Sequence, residues 1–331
     1  MTESRMQIEA QATPAIIRAQ LAANAPICEQ LGAELRQQPP TGIMMIGRGT
    51  SDHAGVFAKY LFEVEAHTPV FAAAPSVAGV YDSQLQLNGY LAICISQSGQ
   101  SPDIVEQAKR AKAGGARLVA IVNVTDSPLA QLADTVLPLH AGPELAVAAT
   151  KSYLASLSAL SQICAYWQQD QALKDALNAL PEQLEQTQRA PACLHAEQLQ
   201  DLRHCVVLGR GFGYAIAREI ALKLKEVLGI HAEAFSSAEF LHGPVTLVER
   251  HLTVFNVHIH DEGSDMHRRQ LADIKKRGAH LVQMPATETL HPRLQPLAVM
   301  QRFYLDIEHA ARQLGLNPDA PPGLKKVTET H

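Results

Sequence analysis

The chain has 331 residues, more than one hydrophobic core usually supports, since single cores stop growing at roughly 250 residues. Hydrophobic residues make up 47% and charged residues 18%, a balance that excludes an intrinsically disordered chain. The formal net charge is -5 and no block of Lys and Arg occurs, so neither a nucleic-acid nor a membrane partner is expected. We therefore predict a globular protein of two domains.

The cysteines and the N-terminal segment bear on compartment and cofactors. The five cysteines are odd in number, widely spaced and form no CxxC pair, so neither a disulfide framework nor a zinc site is indicated. The N-terminal segment MTESRMQIEAQ is polar, and no run of about 18 apolar residues follows it. We expect a cytoplasmic protein that carries no metal and no other cofactor.

The predicted elements alternate between strand and helix through the first half of the chain. Residues 1–38 have the periodicity of an amphipathic helix, which Pro39 and Pro40 end. Strands are predicted at residues 43–46, 70–73, 91–95, 118–122 and 135–139, with helices from about Asp52 and from Pro102. This alternation is typical of βαβ units, in which helices cover a parallel sheet. A long helical stretch follows at residues 151–200, with breaks expected near Pro181 and Pro191.

The pattern then begins again, which indicates a duplicated domain. The sequence GRG occurs at residues 47–49 and again at residues 209–211. Each time it follows a predicted strand and opens a helix. The copies differ in the next loop, because only the first copy has a serine-rich one, at residues 96–101. We predict an N-terminal helical segment at 1–40, a first domain at 41–170, a helical linker at 171–200, a second domain at 201–315 and a C-terminal tail at 316–331 that closes the site.

The serine-rich loop has the features of an anion site. It directly follows a buried strand, at the carboxyl edge of the predicted sheet, where ligands bind in open α/β folds. Ser101 is the predicted N-cap of the next helix, whose N-terminus offers free N–H groups and a partial positive charge. Thr50 and Ser51, after the first strand, are expected to face the same crevice. An ordinary polar turn has a similar composition, but the density of serines favours a phosphate monoester.

The glycine motifs also raise the question of a dinucleotide. GxG alone is a weak signal, Asp52 stands where a third glycine is wanted, and the strand that follows ends without an acidic residue for the ribose. The second copy has Glu233 at a tolerable distance, so NAD is disfavoured rather than excluded. A nucleotide P-loop is not predicted, because no GKS or GKT sequence occurs.

Acid and base candidates lie in the second copy. Glu219, Lys223 and Glu226 are spaced so that all three can share one helix face, although solvated ion pairs have the same spacing. His242 stands beside a Gly-Pro turn, and a lone histidine is more often structural than catalytic. From these residues alone both readings stay open.

Several motifs together resemble the tandem sugar-isomerase (SIS) domains: GRGTSDHA, ISQSGQSPD, AATKSY, LGRGFG, REIALKLKE, HAEAFSSAEFLHGP and LKKVTET. The resemblance runs from about residue 40 to the end. It is closest to the isomerase half of glucosamine-6-phosphate synthase and its stand-alone relatives, which include SIS-type glucosamine-6-phosphate deaminases. It implies an α/β fold with two tandem SIS domains, each a flavodoxin-like three-layer sandwich of a parallel sheet flanked by helices.

The resemblance also implies roles for individual residues. Glu226 would move the proton between C1 and C2, with Glu219 and Lys223 in support. His242 would help to open the sugar ring from a partner subunit, and Lys326 would approach the reacting carbonyl. The residues implied to bind the phosphate and sugar hydroxyls are Arg48, Gly49, Thr50, Ser51, Ser96, Gln97, Ser98, Ser101, Val147, Ala149 and Lys325. Arg48 replaces a usual Cys and Ala149 a frequent Ser, so the hydroxyl contacts are expected to differ.

The direction of the reaction is predicted from the N-terminus. The synthase takes ammonia from a glutaminase domain that begins with a nucleophilic Cys, whereas here Thr2 follows Met1 and residues 1–40 precede the first copy. We therefore expect the conversion of glucosamine 6-phosphate to fructose 6-phosphate and ammonia. The resemblance, which places His242 in a partner subunit's site, implies a homodimer with shared sites.

Other functions remain open. One alternative is another SIS deaminase or isomerase, such as a galactosamine-6-phosphate deaminase, or a fructosamine-6-phosphate deglycase. An alternative of another class is a regulator that binds a sugar phosphate without catalysis. Against it stand the lack of a DNA-binding module and the complete set of Glu226, His242 and Lys326.

Overall fold

A computed structural model describes residues 3–323 and Lys326. The helices are α1 Arg5–Gln11, α2 Thr13–Gln37, α3 Thr50–Glu65, α4 Pro75–Gly79, α5 Pro102–Ala113, α6 Pro128–Leu132, α7 Lys151–Trp167, α8 Gln171–Arg189, α9 Ala196–Leu199, α10 Phe212–Leu228, α11 Ser237–Phe240, α12 Ser264–Lys276 and α13 Gln295–Gln313, with a 3₁₀-helix at Pro244–Arg250. The strands are β1 Ile43–Ile46, β2 Val70–Ala72, β3 Leu91–Ser96, β4 Arg117–Val122, β5 Thr135–Pro138, β6 His204–Gly209, β7 His231–Ser236, β8 Thr253–His258 and β9 His280–Pro285. None of the helices in this part of the chain is long and apolar enough to cross a bilayer.

The chain divides into two compact units, each built on one sheet. The sheet-1 unit comprises Ala15–Glu144 and Lys151–Pro181. The sheet-2 unit comprises residues 3–14, Leu145–Thr150 and Glu182–Lys326. Both sheets are parallel, as the predicted α/β fold requires.

The sheet-1 unit has three layers. Its five strands have the order β2-β1-β3-β4-β5, and β1 and β3 are buried along their whole length because both faces are covered. One face, which includes Met44 and Cys94, packs against Ile104 and Ala108 of α5. The opposite face contacts α3, where Gly55 approaches Met45 so closely that a Cβ would lie 3.3 Å from its Cβ, and α7 packs against α3.

The sheet-2 unit repeats this plan with one strand fewer. Its strand order is β7-β6-β8-β9, so the first four strands of sheet 1 have counterparts and β5 has none. Leu208 and Val254 pack with Leu271 and Ile274 of α12 on one face. Helix α10 contacts strands β6, β7 and β8 and packs against α13. The predicted fold of two parallel sheets flanked by helices is confirmed.

Two details of the helical segments differ from the sequence prediction. The predicted helix at residues 1–38 is two helices, α1 and α2, with Pro14 in the first turn of α2, where a missing N–H costs nothing. The predicted break near Pro181 is wrong, because α8 continues through it. Leu177, Leu180 and Leu184 are buried on both sides of this proline, and their packing keeps the helix intact. The chain breaks earlier, at Gln169, whose φ is 53°.

Candidate functional site

The crevice of sheet 1 lies between β1 and β3. These strands are neighbours, but the chain leaves β1 toward β2 on one side and β3 toward β4 on the other, so the loops after them separate at the carboxyl edge. Ligands of doubly wound sheets bind at such a switch point. Helix α3 begins at Thr50 and α5 at Pro102, so two helix N-termini, each with a partial positive charge, lie at this edge. This arrangement suits an anion.

The serine-rich loop is ordered by its own hydroxyls. Ser96 Oγ accepts a hydrogen bond from Gly99 N at 3.0 Å, and Ser98 Oγ accepts one from Gln100 N at 3.3 Å. Gly99 has a φ of 64°, and a Cβ on it would lie only 2.1 Å from Ser127 Oγ, so both backbone and space require glycine here. Ser101 is the N-cap of α5, as predicted, yet its hydroxyl makes no capping bond.

The loop after β1 faces the same edge. Gly49, with φ 53°, is the N-cap of α3, and a Cβ on it would meet nothing within 4 Å. Thr50 and Ser51 lie half-buried in the first turn of α3. Arg48 Nε donates to Asp103 Oδ2 at 2.8 Å, which links this loop to the first turn of α5.

Sequence reasoning missed two polar residues that shape this edge. Asp103, in the first turn of α5, is the partner of Arg48. Asn123 follows β4; its backbone N–H donates to Gln97 O at 3.2 Å, and its side chain bonds Ala141 N and Gly142 O. An Asn directly after a buried strand was the available signal.

The catalytic candidates of the sheet-2 unit begin with three charged residues on α10. Lys223 Nζ lies 3.1 Å from Glu219 Oε1 and 2.6 Å from Glu226 Oε2. The side chains of Lys223 and Glu219 are 1% and 0% exposed, whereas that of Glu226 is 23% exposed. Tyr304 of α13 donates its hydroxyl to Glu219 Oε1 at 3.4 Å. These residues therefore form a buried ion cluster with Glu226 at its accessible end.

Two opposing effects act on the ammonium of this cluster. Burial lowers the pKa of Lys223, but the carboxylates of Glu219 and Glu226 outweigh it, so the net shift of the pKa is upward. Lys223 is therefore charged at neutral pH. A fixed cation beside Glu226 orients its carboxylate, because one oxygen is committed to Lys223.

The remaining candidates of the sheet-2 unit lie in three segments. His242 is exposed, between α11 and Gly243, whose φ is 136°. Val147 and Ala149 are half-buried in the loop Leu145–Thr150, and Val147 N donates to Asp319 O at 3.1 Å. Lys326 Nζ donates to Ala146 O at 2.7 Å, which brings it to this loop. The other predicted tail residue, Lys325, lies outside the described residues.

The candidates therefore fall into two groups. Arg48, Gly49, Thr50, Ser51, Ser96, Gln97, Ser98 and Ser101 belong to the sheet-1 unit, and Glu219, Lys223, Glu226, His242, Val147, Ala149 and Lys326 belong to the sheet-2 unit. Within the second group, the α10 cluster is one set of contacts and the loop with Lys326 is another.

Comparisons with known proteins identify the family. The SIS domain family model matches residues 35–165 and 198–287. Over 312 residues, 86% of this chain, the sequence is 33% identical to the isomerizing glutamine-fructose-6-phosphate aminotransferase of Thermotoga maritima, of which it covers 51%. The chain thus spans about half the length of the curated relatives it matches.

Solved structures agree with this result. A phosphosugar isomerase structure from Silicibacter pomeroyi has a TM-score of 0.88 and 34% identity, covering 96% of this chain and 100% of that one. The C-terminal domain of the Francisella tularensis glucosamine-fructose-6-phosphate aminotransferase has a TM-score of 0.82 and 26% identity, covering 97% and 99%. These relatives support the prediction that the chain is an enzyme. The chain belongs to the SIS domain family, with two SIS segments in tandem.

Proposed function

We propose that this protein isomerises an amino-sugar phosphate, with glucosamine 6-phosphate as the substrate, and releases ammonia. The observation that carries the proposal is the ion cluster on α10, in which the accessible carboxylate of Glu226 is held by the buried ammonium of Lys223. An aldose-ketose isomerisation needs one base that takes a proton from C2 and returns it to C1. A carboxylate with one oxygen fixed and its side chain partly exposed suits that task.

The proposed proton transfers balance as follows. In the open-chain sugar, Glu226 removes the C2 proton, and the electrons of that bond form a C1–C2 double bond while the carbonyl oxygen takes up a proton. The resulting enolamine regains a proton at C1 from Glu226 while the nitrogen lone pair forms the C2–N double bond, which gives the protonated imine of fructose 6-phosphate. Water then adds to the imine carbon, and ammonia leaves.

Two further residues have proposed roles in these steps. His242 accepts the O1 proton and donates one to O5 as the ring opens, since an imidazole carries one nitrogen that can accept and one that can donate. Lys326 stabilises the negative charge that develops on the carbonyl oxygen. Both roles come from the family resemblance, and the exposure of His242 is compatible with its acting in a partner subunit's site.

The phosphate is proposed to bind at the switch point of sheet 1. Ser98, Ser101, Thr50 and Ser51 supply hydroxyl donors, and the first turns of α3 and α5 supply backbone N–H groups. Arg48 has its Nε committed to Asp103, so it shapes the site rather than serving as the principal phosphate ligand. A phosphate monoester carries enough acceptor oxygens to satisfy several such donors at once.

The choice of an amino sugar rests on the relatives. Their name states that they act on fructose 6-phosphate and isomerise, and this chain aligns with about half of their length. Since a catalyst accelerates a reaction in both directions, the reverse of amination and isomerisation is isomerisation with loss of ammonia. This direction needs only the amino-sugar phosphate and water.

The experiment is a substrate panel. Ammonia release is measured with glucosamine 6-phosphate, galactosamine 6-phosphate and fructosamine 6-phosphate, and ketose formation with glucose 6-phosphate as the non-amino control. We expect ammonia and fructose 6-phosphate from glucosamine 6-phosphate at the highest kcat/KM. Turnover of fructosamine 6-phosphate alone would replace the proposed substrate, and binding of these sugars without turnover of any would contradict catalysis.

A further inference from the structure

The first helix of the chain carries a buried carboxylate that none of the proposed steps uses. Glu9 lies on α1 and is 6% exposed. Its Oε1 accepts a hydrogen bond from Leu145 N. Ala146 N donates to both carboxylate oxygens, at 3.4 Å to Oε1 and 3.3 Å to Oε2. A buried carboxylate that binds two consecutive backbone amides fixes that stretch of chain with charge-assisted bonds. The stretch it fixes is the start of the loop Leu145–Thr150.

Helix α1 is itself held in place by hydrogen bonds, so the backbone that carries Glu9 is fixed. The carboxylate of Asp319 accepts hydrogen bonds from Arg5 N at 3.0 Å and Met6 N at 2.9 Å, at the N-terminus of the helix. Ser4 Oγ donates to Glu308 Oε1 of α13 at 2.6 Å. The backbone oxygen of Asp319 also accepts Val147 N at 3.1 Å, so α1 and the loop share one support.

The loop connects Glu9 to Lys326 through a single residue. Ala146 gives its N–H to Glu9, while its carbonyl oxygen accepts Lys326 Nζ at 2.7 Å. A rotation of this part of the backbone, once the carboxylate is lost, would turn the carbonyl away from the ammonium. The position of Lys326 Nζ therefore depends on a residue 317 positions away in the chain, by difference of the residue numbers 326 and 9.

We propose that Glu9 is a positioning residue, which holds the loop Leu145–Thr150 so that Ala146 aims Lys326 at the reacting carbonyl. This rests on the proposed function insofar as it uses the role of Lys326. The same contact fixes the backbone next to Val147 and Ala149, the residues implied to meet the sugar. Glu9 thus acts on the reaction through Lys326, without touching the sugar.

The kinetic test is a double-variant cycle. Glu9→Gln keeps the size of the side chain but removes its charge and places an N–H group at one of the two oxygen positions that accept Ala146 N. It should lower kcat about 10- to 100-fold with little change in KM, since small misplacements of catalytic groups cost this much. Added to Lys326→Ala, it should lower kcat by less than about twofold, because the two residues act through one contact. Glu3→Gln, an exposed carboxylate just before the same helix, is the matched control.

A merely structural role for Glu9 predicts a different pattern. In that case the losses of Glu9→Gln and Lys326→Ala would multiply, and this outcome would overturn the proposal. Glu9→Asp retains the charge and should recover part of kcat. If Glu9→Asp instead lost as much kcat as Glu9→Gln while its thermal midpoint matched the wild type, charge-assisted positioning would be wrong.

A second measurement separates this inference from the proposed function. Amide hydrogen exchange at Leu145 and Ala146 should be at least tenfold faster in Glu9→Gln than in the wild type, with exchange in α10 unchanged. This readout needs no substrate, so it decides the contact even if no sugar of the panel is turned over. Equal protection of both amides in the two proteins would contradict the proposed clamp.

Discussion

Replacing Lys223 by Met tests the ion cluster on α10. The ammonium lies 3.1 Å from Glu219 Oε1, and both side chains are almost fully buried, so the substitution leaves a buried carboxylate without its cation. Breaking a buried ion pair by removing one partner costs about 3–5 kcal/mol of unfolding free energy. Tyr304 also donates to Glu219, at 3.4 Å, and this neutral hydrogen bond compensates only part of the loss. We expect Lys223→Met to lower the free energy of unfolding by an amount in that range at pH 8.

The stability loss in Lys223→Met should depend on pH in a definite direction. A buried carboxylate without a cation takes up a proton more readily in the folded than in the unfolded protein, so folding binds a proton and the loss of stability shrinks as pH falls. Urea unfolding followed by far-ultraviolet circular dichroism at pH 8 and pH 5.5 measures both values. Lys223→Met/Glu219→Gln should regain at least half of the loss, and Lys225→Met, at an exposed position of the same helix, should change stability by less than about 0.5 kcal/mol.

Nearly wild-type stability of Lys223→Met at both pH values would contradict a buried Glu219–Lys223 ion pair. A double variant less stable than Lys223→Met would contradict it as well. Either result would mean that Glu219 does not carry a buried charge that needs Lys223.

Further predictions concern the phosphate loop and the subunits. Ser98→Ala should raise KM about 10-fold or more through loss of one charge-assisted bond of about 1.5–3 kcal/mol, with kcat less affected; an unchanged KM would remove Ser98 from the site. Gly99→Ala should raise KM more than Ser98→Ala, because the new methyl group would meet Ser127 Oγ at 2.1 Å at a φ of 64°; titration of binding checks this, and wild-type affinity would contradict it. Mixing inactive His242→Ala and Glu226→Gln chains should restore part of the activity if sites are shared between subunits, and verified heterodimers without activity would speak against sharing.

Much of the fold could be predicted because its strands are continuous apolar runs. Strand β3 is buried at all its positions, as a parallel strand covered on both faces must be, and its pattern is visible without the structure. The duplication was visible in the GRG motifs, and the two N-cap glycines adopt nearly the same φ, 53° at Gly49 and 54° at Gly211. The prediction from local sequence was wrong at Pro181, where the packing of leucines outweighed the helix-breaking tendency of proline.

The candidate site could be predicted only in part, because spacing does not report burial or distant partners. The spacing of Glu219, Lys223 and Glu226 predicted a shared helix face, but not that the first two are sealed from solvent. The bond from Arg48 to Asp103 joins residues 55 positions apart, and those from Glu9 to the loop join residues 136 and 137 positions apart. Such contacts depend on how elements pack, which a single sequence does not contain.

Solvent exchange shows whether Glu226 moves the proton between C1 and C2. The wild type and Glu226→Gln are incubated with glucosamine 6-phosphate in D2O, and deuterium in substrate and product is followed by NMR together with ammonia release. Glu233→Gln, an exposed carboxylate on β7, is the matched control. We expect deuterium incorporation and ammonia from the wild type and the control, and a loss of about 10² to 10⁴ in both rates for Glu226→Gln, which should still bind the sugar. Exchange at the wild-type rate in Glu226→Gln would contradict this role of Glu226.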